Sequence, residues 1–245
     1  MGGANGRQRA PDELRLLEIV PDPLEYPPGS ALVRWGRTHV LCAVSVEERL
    51  PSWKVGSATG WLTAEYALLP AATHTRTERD RNRLRPDGRT QEISRLLGRS
   101  LRAVVDLAAL GPRTLHVDCD VLQADGGTRC AAITGAQVAL ALALRRLTER
   151  RQLPRSPLLR RIAAVSAGIV DGQPLLDLDY ADDHRAEVDV NFVLTDAGEL
   201  VELQGTGEKR PFTFAELDAL ILLVRGALPQ LGAAQEQALA RATRT

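Results

Sequence analysis

The segment Asp125-Gly126-Gly127-Thr128-Arg129 gathers residue types suited to holding a phosphate. Two successive glycines let a backbone come close to a bulky anion. Thr128 can cap a helix that begins there, and the N–H groups of a first helical turn point outward with partial positive charge. Arg129 adds a planar fork. The same letters alone also describe a tight turn entering a helix. A second set is acidic. Asp189 and Asn191 share the polar face of an alternating stretch, and Asp183 stands six residues before Asp189 in the loop Asp182-Asp183-His184-Arg185. A loop folding back at the strand's start would set two carboxylates side by side. Such a pair suits Mg²⁺, or Mn²⁺ in its place, and the ion would neutralise charge on a phosphodiester. A solvated acidic turn fits the same letters, and the spacing leaves open which of Asp182 and Asp183 turns inward. A third piece is Arg85-Pro86-Asp87-Gly88-Arg89-Thr90. Its Pro-Asp-Gly turn would hold Arg89 just before the next helix, where it could grip phosphate oxygens or an RNA backbone; a turn with a surface arginine fits the same letters. His74 and His184 lie near these segments without a partner pattern for a nucleophile triad, so structural or RNA-contacting roles suit them. No G-x-S-x-G, H-E-x-x-H or P-loop sequence occurs.

These residues need elements to position them. Residues 1–12 are polar and read as a flexible arm, followed by one domain over residues 13–245. Ala31 to Trp35 and His39 to Val46 are apolar runs separated by Gly36-Arg37-Thr38, a hairpin pattern. Trp61 to Leu69 reads as a strand. Ala71 to Gly88 is a polar stretch whose length points to function or disorder, and six arginines run from Arg76 to Arg89. Ile93, Leu96, Leu97, Leu101, Val104 and Val105 recur at helical steps, with Arg95, Arg99 and Arg102 opposite. That basic face suggests pairing across a subunit boundary. Leu115, Val117, Cys119 and Val121 alternate with polar residues as a half-buried strand. A helix is expected from about Ala131 to Arg146. Ile162 to Val170 and Glu187 to Leu194 read as strands, with a turn at Asp171-Gly172. Thr213-Phe-Ala-Glu216 is a capping box opening a helix through Val224, and a last helix should run from about Ala233 to Ala242. Mixed strands and helices with hairpins imply an α+β sheet-and-helix fold, not a doubly wound sheet.

Composition narrows the class. Of 245 residues, 44% are hydrophobic and 25% charged, which supports a sizeable core. Aromatic residues make up only 4%, so Leu, Val, Ala and Ile must build that core. The 31 basic and 31 acidic residues cancel, unlike a protein that merely coats nucleic acid. Lys54 and Lys209 are the only lysines; arginine supplies the rest. Cys42, Cys119 and Cys130 are odd in number and form no C-x-x-C pair, which argues against a disulfide framework or zinc site and fits a reducing compartment. Met1 to Pro11 carries no apolar leader core, and no uninterrupted apolar stretch suggests a span. The expectation is a soluble cytoplasmic protein without a membrane partner.

Five segments then occur in order: Gly60-Trp-Leu-Thr-Ala-Glu-Tyr66, Gly88-Arg-Thr-Gln-Glu-Ile-Ser-Arg-Leu-Leu-Gly-Arg99, Asp118-Cys-Asp-Val-Leu-Gln-Ala-Asp-Gly-Gly-Thr-Arg129, Ala186-Glu-Val-Asp189 and Val201-Glu-Leu-Gln-Gly-Thr-Gly207. Together, over about Gly29 to Phe214, they resemble the ribonuclease PH family. They resemble it more than its cousins, the exosome core subunits and polynucleotide phosphorylase. The resemblance implies a single two-layer domain of the ribosomal-protein-like β-α-β-α type, assembled as a homohexamer, a trimer of dimers. It implies a phosphate-dependent 3′→5′ exoribonuclease that trims transfer RNA 3′ ends and releases nucleoside diphosphates, with inorganic phosphate as co-substrate. Phosphate-binding roles fall on Arg89, Gly127, Thr128 and Arg129, and catalytic, metal-linked roles on Asp183 and Asp189. Arginines around Arg76, with Arg79, would guide single-stranded RNA. The chain departs from the family pattern at Ala71, where Arg is frequent, at Cys130, where Thr is common, and in the more basic Lys209-Arg210-Pro211. Two rivals fit less well. A non-catalytic RNA-binding ring subunit typically lacks the acidic pair or the phosphate-site Arg, and a metal-dependent hydrolytic exonuclease has no evident use for Gly-Gly-Thr-Arg.

Overall fold

Period-2 alternation builds the first sheet. The computed structural model describes residues 7–78 and 87–242. In it β1 (Leu17–Pro21), β2 (Gly29–Trp35), β3 (Thr38–Glu47), β4 (Trp61–Leu68) and β5 (Thr114–Gln123) form a sheet ordered β1-β2-β3-β5-β4. The β2–β3 hairpin pairs Trp35 with Thr38 at its tip. Only β4 and β5 run parallel, because the crossover between them carries two helices, α1 (Gly88–Arg102) and the single turn α2 (Leu107–Leu110). The second sheet is antiparallel throughout. Its strands β6 (Ile162–Val170), β7 (Gln173–Leu176), β8 (Val188–Thr195) and β9 (Leu200–Gly207) lie in the order β7-β6-β8-β9.

The helix α3 (Thr128–Glu149) lies between the sheets and packs on β2 and β3 of one and β6 of the other. Its small residues permit this. A Cβ on Gly135 would collide with the Val33 side chain, so only glycine lets the helix lie so close to the first sheet. Every residue of β6 is buried, as a strand enclosed on both faces requires. One continuous hydrophobic cluster runs from Ile19 to Ala242 and unites both sheets.

The C-terminal region departs from the sequence reading. In place of two helices there is one, α5 (Phe214–Arg241), opened by the expected capping box at Thr213 and Glu216. Pro229 lies inside it and is exposed, so the carbonyl that loses its partner faces water and the helix continues. By length and composition both α3 and α5 could cross a membrane, but 89% of the apolar window of α3 is buried in the protein's own core. The corresponding figure for α5 is 22%, which leaves apolar side chains such as Leu222 uncovered.

The basic face of α1 is used largely within the chain. Arg99 pairs with Glu202 of β9, and Arg102 donates to the Leu62 carbonyl while lying 4.6 Å over the Trp61 ring. Arg95 is exposed.

Candidate functional site

The starts of α1 and α3, the segment around Asp183 and strands β8 and β9 meet at a single cavity of about 860 Å³. Arg89, Gly127, Thr128, Arg129, Asp183 and Asp189 all line it. These are the six residues singled out for phosphate and metal. Arg76 is exposed outside this cavity. Arg79 lies outside the described residues.

The anion-binding side is made by local backbone geometry. Gly126 and Gly127 both have positive φ, 76° and 65°, so the chain turns sharply between β5 and α3. A Cβ on Gly126 would stand 2.7 Å from the Leu178 carbonyl oxygen and from the Tyr180 nitrogen, so this loop lies backbone to backbone against the segment leading to the acidic residues. Gly127, not Thr128, is the N-cap, and no side chain caps the helix. The first N–H groups of an α-helix have no partner within it, and here they open on the cavity. Thr128 is the first helical residue, and its hydroxyl is 2.7 Å from the buried Tyr66 hydroxyl. Tyr66 belongs to the Gly60–Tyr66 motif but carried no role at sequence level, because contact between β4 and the start of α3 is purely tertiary.

Arg129 is braced on both sides. It donates to Gln204 Oε1 at 3.3 Å, and Glu92 of α1 stands 3.6 Å from the guanidinium. Gln204 in turn donates to Glu202, the partner of Arg99. The basic face of α1 thus steadies the cavity through β9. Arg89, at the second position of α1, is exposed at the rim.

The acidic side sits on α4 (Tyr180–Arg185) and β8. The Asp179 side chain caps α4 by accepting from the N–H groups of Ala181 and Asp182. This short helix separates the two neighbouring carboxylates. Asp182 is buried and bonded to Arg7 at 2.6 Å, while Asp183 faces the cavity. Burial, then the charge of Asp183, push the Asp189 carboxyl up to about 6, against the pull of Arg129 and a hydrogen bond from Asn191. Desolvation also raises Asp183, opposed by Arg89 and Arg129. Asn191 donates to Asp189 Oδ2 at 3.1 Å and accepts from the Cys130 thiol at 3.3 Å. Cys130 therefore helps hold Asn191 against the carboxylate, and burial pushes its own thiol up, so it stays protonated. Two carboxylates, both pushed up by burial and one of them further by the charge of the other, form a hard-oxygen donor set that a divalent cation would relieve. Among the described residues no group of three or more His, Cys, Asp or Glu side chains is arranged around a metal. Any ion here would keep several of its waters, as Mg²⁺ does.

Sequence reasoning missed what holds the two sides together. The guanidinium of Arg15, which is buried, donates to Asp177 at 2.6 Å and to the Asp125 carbonyl at 2.7 Å. Asp177 also accepts from the Trp35 indole at 3.0 Å. Burial pushes the Asp177 carboxyl up, but the hydrogen bonds and charge of Arg15, with that of Arg9, outweigh it and leave it below its ordinary value. Arg7 and Arg9, in the stretch read as a flexible arm, lie against Asp177, Asp179 and Asp182. No local pattern reveals partners separated by more than 160 residues. Lys209, Glu208 and Gln204 also line the cavity; the Val201–Gly207 motif and the basic Lys209-Arg210-Pro211 pointed toward this region.

An anion pocket at a helix start, facing paired carboxylates, is a site suited to transfer at phosphorus. The family model described as "3' exoribonuclease family, domain 1" matches residues 13–145, and "3' exoribonuclease family, domain 2" matches residues 161–223. Curated relatives named ribonuclease PH are 56% identical over 233 residues in Mycobacterium leprae, covering 95% of this chain and 90% of that protein. The figures for Methylobacterium nodulans are 53% over 232 residues, covering 95% and 98%. Rice Rrp46, a solved structure, superposes with a TM-score of 0.77 at 19% identity, covering 96% of this chain and 99% of that one. An Archaeoglobus fulgidus exosome with RNA bound to its active site gives 0.78 at 24% identity, covering 92% and 90%. The chain belongs to the 3′ exoribonuclease family.

Proposed function

We propose that this protein is a phosphate-dependent 3′→5′ exoribonuclease that trims transfer RNA 3′ ends and releases nucleoside diphosphates. The observation that carries the reading is the single cavity in which Thr128 and Arg129 face Asp183 and Asp189. Ribonuclease PH relatives above half identity over nearly the whole chain support it.

Inorganic phosphate binds at the start of α3, held by Arg89, Arg129, the Thr128 hydroxyl and the backbone N–H groups. One of its oxygens attacks the phosphorus of the last linkage. The bond from phosphorus to the penultimate 3′ oxygen breaks, the nucleoside diphosphate leaves, and the shortened RNA keeps its 3′-hydroxyl after that oxygen takes a proton. Tyr66 and Gln204 fix Thr128 and Arg129, so little reorganisation is needed at the moment of transfer. Asp183 and Asp189 would hold Mg²⁺, or Mn²⁺, which supplies charge neutralisation at the scissile group. Asp189, with its carboxyl near 6, is also suited to hold a proton.

The RNA is a transfer RNA precursor with a single-stranded 3′ end, guided by Arg76 and Arg79. The assembly is a homohexamer, a trimer of dimers, in the cytoplasm; the uncovered apolar side chains of α5 supply contact surface for it.

Incubating the protein with a short single-stranded RNA and Mg²⁺, with and without phosphate, tests the reaction. Diphosphates formed only with phosphate support it. Monophosphates in both cases mean a hydrolase, and no product means an RNA-binding subunit without catalysis. Arg129→Ala removes one charged hydrogen-bonding partner, a loss of about 1.5–3 kcal/mol, and should raise the KM for phosphate roughly 10- to 150-fold. Initial rates against phosphate concentration measure this, and an unchanged KM would remove Arg129 from the phosphate site.

A further inference from the structure

We propose that the rings of Tyr180, His184 and His74 form a stacking platform for the unpaired base at the 3′ end of the RNA. The exoribonuclease reading supplies the ligand's identity; the platform itself follows from a second cavity. That cavity, of about 510 Å³, adjoins the first and shares Arg89, Gly127, Thr128 and Asp183 with it. Its size is that of a pocket for a small organic ligand. A substrate whose reacting phosphate lies on the shared wall would extend into this second space.

Part of this second cavity's wall is aromatic. Tyr180 and His74 line it, with ring centroids 5.9 Å apart at 61°. His184, one turn further along α4 and lining the first cavity, lies 14° from parallel to Tyr180 with centroids 6.3 Å apart. Tyr180 is 54% exposed, so it is not an anchor of its helix; the buried Asp182 has that part. Tyr180 also stands three residues before Asp183, so a base stacked on it would carry its phosphate toward the carboxylates.

The lining also indicates how the base is read. Among the described residues this cavity offers ring faces, threonine hydroxyls and a few charges, but no Asn or Gln amide able to pair in two places with a base edge. Stacking on a ring tolerates every base, since each has a π-face. The platform therefore selects an unpaired end over a paired one, with little preference among the four bases.

The test uses an RNA ending in the fluorescent base 2-aminopurine, bound without phosphate so that no turnover occurs. Parent protein and Tyr180→Phe should quench it, and Tyr180→Ala and the double change Tyr180→Ala/His184→Ala should not. With phosphate present, Tyr180→Ala should raise the KM for RNA about tenfold or more while kcat and the KM for phosphate stay near the parent values. Equal quenching by Tyr180→Ala, or an unchanged KM for RNA, would overturn the platform. Quenching lost in Tyr180→Ala, in a protein that makes no diphosphates, would sustain the platform and sink the exoribonuclease reading alone. Because the Tyr180 ring is exposed, circular dichroism of the variants should match the parent.

Discussion

Asp189→Asn is expected to abolish turnover and, in protein stripped of divalent ions, to raise stability. The activity loss follows from removing one of two carboxylates able to hold a cation against the scissile group; such electrostatic contributions amount to several kcal/mol, so a fall of roughly a thousandfold or more is expected. The stability gain follows from relieving a buried carboxylate that also faces a like charge. The Asp189 carboxyl is raised to about 6 by burial and by Asp183. At low pH it is protonated in folded and unfolded chains alike, and nothing is lost. As pH rises through the ordinary carboxylate range the unfolded chain ionises first. The folded protein then carries a penalty that is complete only above its own pKa of about 6. A shift of about two units corresponds to about 3 kcal/mol as an upper bound. Asn escapes it while still accepting the hydrogen bond from Asn191. In EDTA at pH 8 the variant should therefore melt several degrees above the parent, and the gap should close near pH 4. Added Mg²⁺ should raise the parent's Tm and leave the variant's unchanged. A variant melting at or below the parent at pH 8 would mean that burial and Asp183 do not penalise the ionised Asp189.

The second large effect lies away from the reacting atoms. Asp177→Ala should cost about 3–5 kcal/mol, because it leaves the buried Arg15 guanidinium without its counter-charge. It also removes the acceptor of the Trp35 indole. Urea unfolding should show a lower midpoint with an unchanged slope. Replacing both partners, as Arg15→Met with Asp177→Leu, should recover part of the loss, since a buried pair exchanged for apolar side chains costs less than one broken. A loss below about 1 kcal/mol for Asp177→Ala would reduce this contact to the level of a surface pair. The pair matters to the site because Arg15 also holds the Asp125 carbonyl, so the phosphate loop and the segment entering α4 are clamped at one point.

Such contacts mark the limit of what the sequence determined. Local patterns were legible. Apolar runs around a turn placed β2 and β3, alternation placed β5 and β8, helical steps placed α1, an Ala/Leu-rich run placed α3, and the capping box placed the start of α5. The glycine pair and the two aspartates each also fitted a plain turn; it was their place among five ordered motifs that tied them to phosphate and metal chemistry. Only tertiary structure decided between Asp182 and Asp183, since a helical turn sends neighbouring side chains in different directions and Arg7 claims one of them. Only it showed that α5 runs through Pro229, because exposure of the unpaired carbonyl depends on which face the core takes. The sharp edge strand β1, too short and proline-bounded to show alternation, likewise emerged only by pairing with β2. Arg15 with Asp177, Tyr66 with Thr128 and Cys130 with Asn191 join residues far apart in the chain. Sequence periodicity reports each element's own faces; which face meets which is settled by the packing of all of them at once.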